Sequence, residues 1–270
     1  LMYIPRSSST PKGMPSIVYE TSAEGVGLLT INRPELRNAL NWEAMELFAK
    51  AVRESASDGQ LRALVITGSD GAFSSGGDLY ELDQYSSRLD GARLATVMGE
   101  ALRDLDGLPV PTLAAVEGLA LGGGAEIALA CDLRVLSETA SFGLLHIKLG
   151  IIPAWGGGQR LQRLVGYSLA LEWLSAARVL SASEAHAHRL ANRVVAAGSA
   201  LQVAQSIATQ IAAFDPAAVR AVKRALQEGL SQPLPQALAT ERALFPDLWA
   251  APAHLDASTR FVSRRNHQPR

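Results

Sequence analysis

The first half of the chain alternates short apolar runs with a segment of helical periodicity. Residues 17–20 and 26–31 predict two strands paired across the turn signal Glu24-Gly25. Residues 62–68 (RALVITG) are continuously apolar, which is typical of a strand buried on both faces. Residues 41–53 carry apolar side chains at helical spacing, which predicts a helix. Asn41, the first residue of this segment, is a favourable N-cap.

Two more apolar runs, 112–117 and 132–136, repeat this strand character, each beside a helix, and the alternation predicts an α/β domain. After Gly156 the pattern is almost wholly helical, apart from a short extended piece at Val194-Val195. The chain thus divides into a flexible leader at 1–15, an α/β core at 16–198 and a helical region at 199–270. Helices are predicted at 160–165, 168–177, 200–213, 216–228, 236–249 and 254–265.

Composition narrows the functional classes. Lys plus Arg number 25 and Asp plus Glu number 26, so the net charge of −1 argues against a protein that grips nucleic acid or an anionic membrane surface. The single cysteine, Cys131, excludes an intrachain disulfide framework and a cysteine-built zinc site. The longest apolar run, 113–131, is interrupted by Glu117 and Glu126, which makes a membrane span a poor explanation. We therefore expect a soluble, cytoplasmic protein.

Two glycine-rich loops follow strands and suggest a ligand site. The first is residues 72–79 (AFSSGGDL), and the second is residues 120–126 (ALGGGAE), which opens a helix. Glycines allow close approach of the backbone to a ligand, and the first N–H groups of a helix have no partner within it. Together the loops can polarise one carbonyl oxygen as an oxyanion hole. Each loop alone is equally well explained as a tight turn.

Three motifs in order carry a family resemblance. FSSGGDL, AVEGLALGGGAEIALACDLRV and FGLLHIKLGIIPAWGGGQRL together resemble the crotonase (enoyl-CoA hydratase/isomerase) superfamily, and the likeness runs from about Val26 to the C-terminus, including NRPELRNAL at 32–40. The resemblance implies a spiral of ββα units with a C-terminal helical trimerisation region, assembled as a homotrimer or a homohexamer. It also implies an acyl-CoA thioester substrate and an enolate-like intermediate. No metal and no cofactor are expected, since coenzyme A is part of the substrate.

The resemblance also assigns binding residues. The oxyanion-hole donors would be the backbone N–H groups of Ser75 and Gly123. Arg37 and Arg264 fall where the family places basic contacts to the CoA phosphates, although each also fits a solvated surface charge. The other residues expected to bind CoA or the acyl group are Gly76, Gly77, Asp78, Leu79, Trp155 and Phe245.

Glu126 is the first catalytic candidate. It lies about one turn from the predicted oxyanion donors, where a partly desolvated carboxylate can exchange a proton with substrate carbon or water. A glutamate that merely stabilises the helix dipole is the alternative.

His146 and Trp155 depart from the hydratase pattern. His146 stands where a typical hydratase has a second glutamate, and Trp155 stands where hydratases mostly have a small residue. This combination, with the tail at 241–257, looks like the branch that contains ethylmalonyl/methylmalonyl-CoA decarboxylases. Decarboxylation leaves an enolate without removal of a carbon proton, so the second glutamate is dispensable. His146 can then orient the departing carboxylate, and either Glu126 or His146 can later protonate the α-carbon.

We therefore expect a lyase that acts on a short acyl-CoA, with a slight preference for decarboxylation of a 2-alkylmalonyl-CoA. Hydration or isomerisation of an enoyl-CoA in fatty-acid or branched-chain breakdown is the close rival. A non-catalytic CoA- or RNA-binding member of the fold is the alternative from another class.

One further departure from the family pattern concerns the end of a helix. Arg189 replaces the glycine that ends a helix in this family, which predicts an absent or strained left-handed cap.

Overall fold

The computed structural model describes residues 15–266, and for residues 264–266 it describes only the backbone. The predicted leader therefore lies outside the described residues up to residue 14. The chain forms two compact units, the first ending at Gln210 and the second beginning at Ile211, and each is described by itself. Among residues 15–266, no helix has both the length and the apolar character that a membrane span needs.

Two β-sheets form the frame of the first unit. The larger has six strands in the order β1-β2-β3-β4-β6-β9, and only the β1–β2 pair is antiparallel. The smaller has three strands in the order β5-β7-β8, with β5 and β7 parallel. The strands are β1 (Ile17–Thr21), β2 (Val26–Ile31), β3 (Ala63–Gly68), β4 (Thr112–Val116), β5 (Leu119–Leu121), β6 (Leu133–Ser137), β7 (Ser141–Gly143), β8 (Leu180–Ser181) and β9 (Arg193–Val195).

Helices pack on these sheets, and three further helices lie in the second unit. The helices that begin in the first unit are α1 (Trp42–Ser57), α2 (Leu79–Leu82), α3 (Arg88–Asp106), α4 (Gly123–Ala130), α5 (Gly157–Val165), α6 (Tyr167–Ser175), α7 (Ala182–Ala187) and α8 (Ala200–Ala212). The second unit holds α9 (Pro216–Gly229), α10 (Leu234–Trp249) and α11 (Pro252–Asn266). Two short 3-10 helices occur at Pro34–Leu36 and His146–Leu149. The predicted α/β class and the helical C-terminal segment are confirmed.

Several elements predicted from local sequence patterns are present in the structure. Asn41 caps α1 as predicted, because its side chain accepts a hydrogen bond from the Ala44 N–H. Strand β3 is almost completely buried, as its continuous apolar run indicated. The predicted extended piece at Val194-Val195 is part of β9, the last strand of the larger sheet.

Helix α3 and strands β5 and β7 were not predicted. Helix α3 has buried residues only in its second half, and Gly91 and Gly99 weaken its helical pattern. Its start was visible, however, because Ser87 and Asp90 form a capping box. Strand β5 has three residues, and it rather than β4 leads into the second glycine loop.

The helix end at Arg189 keeps its left-handed turn. Arg189 has φ of 61°, and the following Leu190 N–H donates to the Ala185 carbonyl at 2.8 Å, which closes the end of α7. Of the two predicted outcomes, an absent cap or a strained one, the structure shows the second. The cap is present, and the positive φ of Arg189 is strained because the residue carries a Cβ. Surrounding contacts hold the backbone in a region that glycine occupies far more readily.

Arg189→Gly is expected to raise the free energy of unfolding by roughly 1 kcal/mol, because it removes the left-handed strain of a residue that carries a Cβ. Urea unfolding followed by circular dichroism measures this change. Arg193→Gly, in strand β9, is the control and should destabilise the protein. A decrease in stability for Arg189→Gly would mean that the arginine side chain contributes more than its backbone strain removes.

Candidate active site

The two glycine loops lie against each other. The Ser74 N–H donates to the Leu119 carbonyl and the Leu121 N–H donates to the Ser74 carbonyl, each at 3.0 Å. A Cβ added to Gly76 would lie 2.9 Å from the Gly123 nitrogen. The structure therefore brings together the two loops that the sequence predicted to act jointly, and glycine at position 76 is what lets the backbones approach.

Gly123 begins α4, so its N–H is among those with no partner inside the helix. A Cβ on this residue would lie 2.1 Å from Cζ3 of Trp155, which shows that the indole ring rests directly on the Gly123 backbone. Trp155 is only 6% exposed. The predicted oxyanion donor is thus walled on one side by a large buried aromatic ring.

The Ser75 N–H, the other predicted oxyanion donor, is already engaged. It donates to the Arg37 carbonyl at 3.0 Å. The backbone of Arg37 is left-handed, with φ of 53°, and its carbonyl oxygen accepts the Ser75 hydrogen. In this conformation the Ser75 N–H is not free to bind an oxyanion. The predicted role of Ser75 therefore requires that the hydrogen bond to the Arg37 carbonyl breaks first.

The predicted CoA-binding residues differ in burial and do not all lie in the first unit. The Asp78 carboxylate is buried and pairs with Arg33 Nη2 at 3.0 Å, a partner that the sequence analysis missed. Leu79 is about half exposed at the start of α2. Phe245 lies in the second unit, and Arg264 lies in α11 with its side chain outside the described residues. The CoA contacts assigned to these residues stay predictions.

Glu126 is buried in the first half of α4, with 1% of its surface exposed. Its Oε2 accepts two backbone hydrogen bonds, from the Trp155 N–H at 2.9 Å and the Gly157 N–H at 2.8 Å. Its Oε1 lies 3.1 Å from His146 Nε2. The alternative of a glutamate that only stabilises its own helix does not account for these contacts, which join Glu126 to two other segments.

His146 starts the second 3-10 helix, and its side chain is 14% exposed. Because Nε2 faces a carboxylate oxygen, we assign the proton to Nε2, which then donates to Glu126 Oε1. Nδ1 is buried and has no hydrogen-bond partner among residues 15–266. The imidazole is therefore oriented by its carboxylate neighbour.

The chemistry of the pair follows from its two carboxylate oxygens. Oε2 is fixed as an acceptor by two N–H groups, so Oε1 is the oxygen that can take up and release a proton. His146 Nε2 is in direct contact with that oxygen, so a proton can pass between the carboxylate and the imidazole. Glu126 and His146 thus form a largely buried carboxylate–imidazole pair, an arrangement that is capable of general acid/base chemistry.

Sequence reasoning identified both members of this pair but not their contact or the donors that hold Glu126. The two donors are backbone groups of Trp155 and Gly157, and backbone donors leave no side-chain signature. One signal was available: three successive glycines at 156–158 open α5. A Cβ on Gly157 would lie 2.6 Å from Glu126 Cγ, so glycine is required there for the carboxylate to approach.

Comparison with known proteins agrees with these motifs. The family model for enoyl-CoA hydratase/isomerase matches residues 21–268. The short-chain-enoyl-CoA hydratase of Clostridium acetobutylicum is 35% identical over 241 residues, which cover 89% of this chain and 92% of that protein. The human mitochondrial methylglutaconyl-CoA hydratase is 37% identical over 251 residues, which cover 91% of this chain and 74% of that protein.

Solved structures show the same relationship. The enoyl-CoA hydratase of Bacillus anthracis superposes with a TM-score of 0.88 at 30% identity, covering 92% of this chain and 96% of that one. The fold predicted from the motifs is therefore confirmed, whereas the likeness to a decarboxylase branch is not. The chain belongs to the enoyl-CoA hydratase/isomerase family of the crotonase superfamily.

Proposed function

We propose that this protein adds water to the double bond of a short enoyl-CoA thioester. The observation that carries the proposal is the 3.1 Å contact between Glu126 Oε1 and His146 Nε2, buried beside the first turn of α4. Conjugate addition of water needs a group that removes a proton from water and a group that returns one to carbon. A buried carboxylate–imidazole pair can do both.

The proposed reaction balances without a cofactor. The Glu126–His146 pair accepts one proton from water, and the resulting hydroxide forms a bond to the β-carbon. The electron pair of the double bond moves onto the thioester oxygen, giving an enolate held by the Gly123 N–H and by the Ser75 N–H once it leaves Arg37. The enolate then takes a proton from the same pair at the α-carbon, and the pair returns to its starting state.

The geometry supports hydration over decarboxylation. Decarboxylation was favoured because His146 could orient a substrate carboxylate, which requires a free N–H on the imidazole. Nε2 is directed to Glu126, and Nδ1 is buried. A second carboxylate placed against this pair would also meet the negative charge of Glu126. The hydratase names of the relatives described above support the same choice.

A competition assay tests the proposal. Purified protein is given crotonyl-CoA and ethylmalonyl-CoA together, and the products are followed by mass spectrometry. We expect crotonyl-CoA to gain one water and ethylmalonyl-CoA to stay unchanged. Loss of carbon dioxide from ethylmalonyl-CoA with crotonyl-CoA untouched would overturn the proposal in favour of decarboxylation. Absence of both reactions would overturn it in favour of an isomerase or a binding protein.

Trp155 supports the restriction to short acyl groups, because its ring occupies the space next to Gly123. Trp155→Ala should raise the kcat/KM for octenoyl-CoA relative to crotonyl-CoA by about tenfold or more, since each methylene accommodated in an apolar pocket contributes on the order of 1 kcal/mol. The backbone N–H to Glu126 remains in this variant. An unchanged ratio would show that another part of the site sets chain length. Trp173→Ala, in α6, is the control.

A further inference from the structure

Arg160 is a largely buried arginine near the active site that the proposed chemistry does not use. It lies in α5, and its side chain is 18% exposed. Nη1 donates to the Trp155 carbonyl at 2.9 Å, and Nη2 donates to the Leu102 carbonyl at 3.1 Å. Nη2 also lies 3.6 Å from Asp106 Oδ2. The guanidinium therefore bridges the loop before α5 and the C-terminal part of α3.

This bridge fixes the residue that holds Glu126. The Trp155 N–H donates to Glu126 Oε2 while the Trp155 carbonyl accepts from Arg160, so the backbone of one residue is held from both sides. The next residue, Gly156, has φ of 95°, and a Cβ on it would lie 2.6 Å from Arg160 Nη1. Arg160 thus packs directly on the loop that supplies both N–H groups to the carboxylate.

An arginine suits this position better than another cation. Its planar fork can donate to two carbonyls in fixed directions, whereas the ammonium of a lysine is a point charge on a flexible stem. The positive charge also lies near the C-terminal end of α3, the end of a helix that carries partial negative charge. Charge and geometry both hold the loop in one place relative to α3.

We propose that Arg160 is a positioning residue for the active site: it ties the Trp155–Gly157 loop to α3 and so holds Glu126 with Oε1 directed at His146. Loss of the guanidinium frees the loop, loosens the two N–H donors and lets the carboxylate turn away from its productive orientation. The expected effect on turnover rests on the proposed hydratase function, whereas the expected effect on the mobility of the loop is independent of it.

Amide hydrogen exchange tests the proposal without reference to activity. In Arg160→Met we expect the Trp155 and Gly157 amides to exchange about tenfold faster or more than in the wild type, because a charge-assisted bond that holds their loop is gone. Arg163→Met is the matched control, since Arg163 is an exposed arginine of the same helix and should leave both amides unchanged. Unchanged protection in Arg160→Met would overturn the proposal.

Steady-state kinetics with crotonyl-CoA add the catalytic readout. For Arg160→Met we expect kcat to fall on the order of 10²-fold with KM little changed, because a carboxylate displaced by about 1 Å loses that much rate. A purely structural role would lower the thermal midpoint but leave the kcat per folded molecule intact, and that result would overturn the proposal. Arg160→Lys keeps the positive charge and should fold even if Arg160→Met does not. Its amide exchange rates and its kcat should lie between those of the wild type and those of Arg160→Met.

The two ideas fail separately. If the wild type does not hydrate crotonyl-CoA but the two amides lose protection in Arg160→Met, the function is wrong and the positioning role stands. If the wild type is an active hydratase and Arg160→Met keeps both its kcat and its amide protection, the positioning role is wrong and the function stands.

Discussion

Glu126→Gln is expected to lower kcat for crotonyl-CoA hydration by about 10²–10⁴-fold, with CoA affinity little changed. The amide oxygen of the glutamine can still accept the N–H groups of Trp155 and Gly157, so the fold of the site is retained. The amide nitrogen then stands in place of Oε1, next to His146, and it cannot take a proton from water. Only the proton-transfer step is removed.

Stopped-flow loss of the enoyl absorbance measures kcat, and calorimetric titration with a non-reactive acyl-CoA measures affinity. Glu100→Gln, on the exposed side of α3, is the matched control and should behave as the wild type. A variant at position 126 with the wild-type rate would remove Glu126 from the mechanism. A loss of CoA affinity equal to the loss of rate would instead assign Glu126 to binding.

Arg134→Met is expected to lower the free energy of unfolding by about 3 kcal/mol or more. Arg134 lies in β6 with its side chain buried, and burial lowers the pKa of its guanidinium from the ordinary value. Its nitrogens donate to four backbone carbonyls, those of Leu190 and Cys131 at 2.6 Å and those of Ala128 and Asp132 at 3.3 Å. Methionine fills much of the volume but leaves these buried acceptors without their donor.

Urea unfolding followed by circular dichroism provides the measurement for Arg134→Met. Arg53→Met is the control, because Arg53 is exposed in α1 and should change stability by less than about 0.5 kcal/mol. A loss below about 1 kcal/mol in Arg134→Met would show that water or a backbone shift replaces the guanidinium. Because α4 carries Gly123 and Glu126, we also expect kcat to fall in this variant even where it is fully folded.

Much of the fold was predictable because its signals are local. The strand pairing across Glu24-Gly25 and the Asn41 cap of α1 follow from turn chemistry and helical periodicity within a few residues. Helix α3 was missed because half of it has no buried face and two glycines interrupt it. Strands β5 and β7 are three residues each, too short for a periodic pattern to appear.

The candidate site was predictable residue by residue but not as an arrangement. Glu126 and His146 were both named from the sequence, but their direct contact was not, and the roles given to them stay predictions. Ser75 was assigned a free N–H that is bonded to the Arg37 carbonyl. Arg160 carried no motif of its own, because its partners are backbone carbonyls far away in the sequence.

The sequence by itself determined the α/β class with its helical C-terminal segment, the two glycine loops, and the pair of residues that departs from the hydratase pattern, His146 and Trp155. Only the tertiary structure decided that Glu126 Oε2 is held by the loop around Gly157 and that Oε1 meets His146. The reason is physical. Caps, turns and periodicity act over a few neighbouring residues, whereas these contacts join segments about twenty to thirty residues apart, and their distances depend on how whole helices and sheets pack.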